Sequence, residues 1–187
     1  MASLRNRQKQ DRRRAIMDAA QTLFARNGYG ATTVEDIAAA AGVSHVTVHN
    51  YYGTKAGVLL AMVAQSDAQL LDRLAAALPA QADALTLTVA FARQIMLHAD
   101  QGLGRATWRQ VLAAVAAEAG SAAAAEYAAL DGALVQALAQ RLDAASAAAA
   151  LFDLINARFQ RFVTSDQSVD AACDALRRDL SALLSLT

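Results

Sequence analysis

The stretch from residue 32 to 55, TTVEDIAAAAGVSHVTVHNYYGTK, constrains this chain more than any other. It reads as two short helices joined by a tight turn. Thr32 and Thr33 are helix-start residues, and Glu35 stands three after Thr32, the spacing of a capping box. Val34, Ile37, Ala38 and Ala41 then fall on one helical face. Gly42 ends this helix, because a residue without Cβ takes left-handed backbone at little cost. Val43 packs back, and Ser44 caps the next helix. Val48, Tyr51 and Tyr52 mark the buried side of that second helix, with His45, Thr47, His49 and Asn50 on its open side. Two short amphipathic helices around a small-residue turn form the helix-turn-helix pattern, whose second helix enters a DNA major groove.

The rest of the chain reads as helix too. Apolar residues make up 56% of it and aromatics 5%, with Pro79 the single proline. The abundant alanine and leucine are the strongest helix formers. The expectation is an all-α protein of about nine helices. A first helix covers residues 11–27, and Gly28 and Gly30 supply its exit turn. Thr54 caps a long helix reaching Leu78, and Pro79 closes it. Further helices are expected over 81–99, 103–119, 121–142, 147–164 and 168–186. Residues 1–10 are polar and basic and read as a disordered arm, equally consistent with an inert tail.

Charge is unevenly placed. Residues 1–60 hold eight Lys/Arg against four acids, and the remainder nine against thirteen, so the zero net charge is +4 followed by −4. A basic first third suits a polyanion, or serves only solubility. Cys173 is the only cysteine, which excludes an intrachain disulfide and a cysteine metal site and fits a reducing cytoplasm. The basic N-terminus leads into no apolar segment of a signal peptide. No apolar run reaches the ~18 residues of a membrane span, so no membrane partner is expected.

A helix with Ile16, Ala19, Ala20, Leu23 and Phe24, followed by Gly28, TTVEDIA, AGVS, an aromatic pair and Lys55, resembles the tetracycline-repressor (TetR) family of transcription regulators. The resemblance spans residues 14–63. Three positions depart from it: His49 where the family has Tyr, Val46 where it has a small residue, and Ala56 where it often has Glu. The resemblance implies a helix-turn-helix DNA-binding domain over 1–53, a connecting helix over 54–78 and a helical effector-binding and dimerisation domain over 79–187. It implies a homodimer, acting as a repressor on a palindromic operator in double-stranded DNA and released by a small molecule.

Candidate residues follow. Thr33, Tyr51 and Lys55 suit phosphate contacts, and Ser44 opens the recognition helix. The resemblance places base readers at His45, Val46 and Thr47. Val46 and the Thr47 methyl suit a thymine methyl, and His45 a purine acceptor. His49 and Asn50 share that face. An effector pocket is expected among Phe91, Ile95, His98, Trp108, Leu112, Tyr127, Phe152 and Asn156, although aromatics at helical spacing also serve as plain core. The few charges here suit an apolar effector. Phe152, Ile155, Phe159 and Phe162, with Leu176, Leu180, Leu183 and Leu184, form two apolar stripes. Each suits monomer core or a four-helix dimer interface, and the resemblance implies the interface.

No catalytic residue, cofactor or metal is expected. His45 and His49 are spaced i, i+4 but lack a third ligand nearby, and no nucleophile elbow, phosphate loop or HExxH is present. Two other readings remain: a helical interaction module without an effector, and a small-molecule enzyme.

Overall fold

The structure is a computed structural model that describes residues 4–79, 81–117, 119–142 and 145–185. The described residues form α-helices and no strand. In chain order these are α1 (Leu4–Asn27), α2 (Val34–Ala40), α3 (His45–Tyr52), α4 (Lys55–Ala77), α5 (Ala84–Gln101), α6 (Gly104–Ala117), α7 (Ala122–Leu142), α8 (Ala145–Val163) and α9 (Val169–Leu184). The last five begin and end within three residues of their expected bounds.

The N-terminal arm departs from expectation. Helix α1 starts at Leu4, so residues 4–10 are helical where a disordered arm was expected; residues 1–3 lie outside the described residues. The reason is local. Gln, Lys and Arg are good helix formers, and adding turns to a helix already nucleated costs little.

The helices group into two compact units. One comprises Met1–Gln65 and Gln110–Tyr127, the other Ser66–Arg109 and Ala128–Thr187. Their boundaries fall inside α4, α6 and α7.

In the first unit, α1 packs on α2 and α2 on α3. Ile16, Ala20, Ile37 and Val48 are almost completely buried, as are Val58 and Leu59 on α4. Each such Ile, Leu or Val contributes about 1.5–3 kcal/mol through burial. Gly42, at φ 66°, makes the turn between α2 and α3, and Ser44 caps α3 by accepting from the Thr47 N–H at 3.1 Å.

In the second unit α5, α8 and α9 pack against one another. Phe91, Met96, Ile155, Phe162 and Leu176 have no exposed surface. Arg158 on α8 pairs with Asp179 on α9, and Arg93 on α5 pairs with Asp170 on α9. Two arginines of α6 meet carbonyls at and just beyond the C-terminus of α8. Arg109 donates to Val163 O at 2.9 Å, and Arg105 to Ser165 O at 3.0 Å and Gln167 O at 2.7 Å.

This packing places most of the C-terminal stripes in the core of a single chain. Phe152, Ile155, Phe159, Phe162, Leu176 and Leu180 are each 5% exposed or less within a single chain. They form the core of this unit, because α5 covers the face that a partner was expected to cover. Leu183 alone among the described stripe residues is open, at 55%. The side chain of Leu184 lies outside the described residues.

Candidate nucleic-acid interface

The surface of α3 is built by one buried anchor. Val48 is 1% exposed and fixes the helix to its unit. Helical periodicity then turns the neighbouring positions outward. Ser44, His45, Val46, His49 and Asn50 are exposed, and Thr47 is half-buried. Val46 is 60% exposed, an unusual position for a β-branched apolar side chain. The His45 and His49 rings stack with centroids 6.4 Å apart, and His45 Nε2 lies 4.0 Å from Glu35 on α2. The Ser44 and Thr47 hydroxyls are 2.9 Å apart, which sets the Thr47 rotamer. Tyr51 and Tyr52 are half-buried, and the Tyr52 hydroxyl donates to Arg13 O at 3.4 Å.

Two residues expected to contact phosphate also make contacts within the protein. Thr33 is the N-cap of α2, in a capping box with Asp36 rather than the expected Thr32–Glu35 pair. Its backbone N–H and its hydroxyl both donate to Asp36. That carboxyl is held below its ordinary range, by the Thr33 backbone N–H first and the hydroxyl second. Thr32, one residue earlier, is completely buried, and its hydroxyl donates to Gly28 O at 2.9 Å. The register moves by one because Thr32 seals the turn after α1. Lys55 Nζ donates to Tyr29 O at 2.8 Å, Gly30 O at 3.4 Å and Thr32 O at 2.7 Å. An ammonium has three donors, and here each meets a carbonyl of the protein.

Gly57 was not singled out in the sequence. A Cβ at this position would lie 1.9 Å from the Tyr52 carbonyl oxygen. The first turn of α4 therefore sits directly on the last residue of α3, an approach that only glycine permits. Glycine in the first turn of a helix was the available signal.

The expected effector residues do not share one unit. Phe91, Ile95, His98, Trp108, Phe152 and Asn156 belong to the second, whereas Leu112 and Tyr127 belong to the first. Phe91, Ile95, Trp108 and Phe152 are buried. His98 Nε2 lies 3.1 Å from the Ser66 hydroxyl. Trp108 meets Phe159 edge-on at 5.0 Å, and its buried indole N–H has no partner among the described residues. A separate apolar groove of about 330 Å³ runs between α5, α8 and α9, lined by Leu85, Leu151, Leu180 and Leu183 among others. None of the expected effector residues lines it. Among the described residues there is no cluster of three metal-ligating side chains, and no helix is long and apolar enough to cross a membrane.

Residues 16–62 match the family described as bacterial regulatory proteins, tetR family. The HTH-type transcriptional regulator BetI of Rhizobium meliloti (strain 1021) is 36% identical over 90 residues, 48% of this chain and 44% of that protein. The match thus spans less than half the length of that relative. A TetR transcriptional regulator from Rhodococcus sp. RHA1 aligns with TM-score 0.68 and 16% identity over 95% of this chain and 97% of that one. The multidrug binding protein EbrR, in complex with ethidium, aligns with TM-score 0.62 and 23% identity over 89% and 97%. At these identities the solved structures speak to fold alone. The helix-turn-helix built on Val48, Gly42 and Ser44 lies within the segment that the family match covers, so residues 16–62 are similar to the tetR family of bacterial regulatory proteins.

Proposed function

We propose that this protein is a DNA-binding transcriptional regulator, a repressor that reads a palindromic operator as a homodimer in the cytoplasm. The observation that carries this reading is the surface of α3. Exposed side chains of mixed chemistry stand on a helix anchored by one buried valine. His45, Val46 and Thr47 read base edges, Val46 through a thymine methyl. Ser44, His49, Asn50 and Tyr51 face the backbone. One eight-residue helix reads too few base pairs for specificity, so a second copy supplies the other half-site, one helical turn of about 34–36 Å away. The outward face of α8 and α9, with Ala150 and Leu183 exposed and Leu151 and Leu154 half-buried, is proposed for that pairing.

The second unit is proposed to bind a small, largely apolar effector. The apolar surroundings of Phe91, Phe152 and Phe159 support this, and the Trp108 N–H, without a partner among the described residues, suits a single hydrogen-bond acceptor on such a molecule. Binding is relayed along α4, which begins beside α3 and continues into the second unit. EbrR, a multidrug binding protein of similar fold, is solved with ethidium, which supports a ligand-binding role for the second unit.

Selection of bound duplexes from a random pool tests the DNA reading. A recovered palindrome with half-sites one turn apart is the expected result. A pool that stays unenriched, with protein that sediments as a single subunit, would sink it.

A further inference from the structure

We infer that Lys55 is a positioning residue for DNA recognition and not a phosphate ligand: its ammonium fastens the α1–α2 turn to the first residue of α4. The inference rests on the DNA-binding reading above, and it reverses what the position of Lys55 beside the recognition helix suggests.

The geometry is specific. The three carbonyl oxygens of Tyr29, Gly30 and Thr32 converge on Lys55 Nζ, at 2.8, 3.4 and 2.7 Å. The same nitrogen lies 4.4 Å from the centroid of the Tyr29 ring, within cation–π range. That ring is held in turn by Phe24 on α1, at 5.2 Å. Carbonyls just beyond a helix C-terminus lack helical partners and lie in the negative field of its dipole. A cation placed there satisfies both. Thr32 completes the arrangement from the α1 side, its buried hydroxyl donating to Gly28 O at 2.9 Å. The turn between α1 and α2 is thereby fixed from two directions.

The turn ends at Thr33, the N-cap of α2, and α2 packs on α3. Displacing the turn therefore displaces the helix against which the reading helix rests. Turning the ammonium toward a phosphate would leave three carbonyls without their donor. The ammonium of Lys55 keeps its charge but commits its donors to these carbonyls, and the phosphate contacts come from other residues.

Two measurements test this. The chain contains only two lysines, Lys9 and Lys55, so acetylation by an activated ester can be followed at each by mass spectrometry. Lys9 is exposed and serves as the internal standard. The expected result is rapid labelling of Lys9, slow labelling of Lys55 in the free protein, and no further protection of Lys55 when the selected operator duplex is added. Labelling of Lys55 at the rate of Lys9, with protection on adding the duplex, would overturn the inference. This readout on the free protein stands even if no duplex is ever found to bind.

The second measurement uses Lys55→Met, which keeps the stem and removes the donors. Operator affinity is expected to fall by about tenfold or more, the scale of one or two base contacts. Affinity for unrelated duplex is expected to stay within about twofold, with the salt slope unchanged. Equal weakening of both duplexes, with the slope reduced by about 0.9, would identify a phosphate ligand. A folded variant with wild-type operator affinity would reduce Lys55 to a stability element. If Lys55→Met fails to fold, the labelling result decides alone.

Discussion

Asp36 accepts from both donors of Thr33, the backbone N–H at 2.9 Å and the hydroxyl at 2.7 Å. Because these bonds hold the carboxyl below its ordinary value in the fold, the unfolded chain takes up this proton first on acidification. Asp36 therefore supports the fold above the ordinary carboxylate range and ceases to do so as pH falls through its depressed value. Urea midpoints of wild type and Asp36→Ala should differ at neutral pH and converge as the pH falls through that depressed value. A gap that stays constant throughout the series would contradict this account.

Gly57→Ala should be among the most damaging small substitutions in the first unit. The new methyl meets backbone, at 1.9 Å from Tyr52 O, so no side chain can swing aside. The strain is expected to cost about 1–3 kcal/mol. Thermal melting and operator affinity should both fall. Alanine at Gly132, where nothing lies within 4 Å, should leave both unchanged or raise stability slightly.

These two residues illustrate what a sequence states and what it withholds. Helix positions were legible because alanine, leucine and the turn residues around Gly42 act locally. The face of α3 was legible because one period fixes which side chains look outward. Thr32 and Thr33 were not distinguishable, since both are sound caps and only the packing of Thr32 behind α1 decides between them. The carbonyl contacts of Lys55 were not legible for a related reason: its partners lie 23 to 26 residues away, and no spacing rule connects them. The stripes on α8 and α9 announced a buried face but not its cover, which α5 provides.

Trp108 should tolerate the loss of its nitrogen better than the loss of its ring. The indole N–H is buried without a partner among the described residues, whereas the ring packs edge-on against Phe159. Trp108→Phe removes the first and retains most of the second, and should stay within about 1 kcal/mol of wild type. Trp108→Ala should cost about 3–5 kcal/mol. Urea unfolding followed by circular dichroism measures both, since the only tryptophan is the residue replaced. A larger loss for Trp108→Phe would mean that the N–H is satisfied in solution.

Val46→Ala should cost about 1 kcal/mol or more at a single operator position, the value of a methyl contact at the edge of that range. Stability should not change, because the side chain is 60% exposed in the free protein. Affinity measured against a set of single-base operator variants locates the position. Uniform weakening across the whole set would remove Val46 from the base readers.

The burial pattern of α3 has a consequence for how such a protein diversifies. Val48 carries the attachment, Ser44 starts the helix, and Gly57 seats the next one, so none of the outward residues is needed to hold the scaffold. Substitutions at 45, 46, 49 and 50 can therefore accumulate without first passing through a misfolded intermediate. New target sequences become reachable by single steps, each under selection for what it recognises and free of any penalty to the architecture beneath.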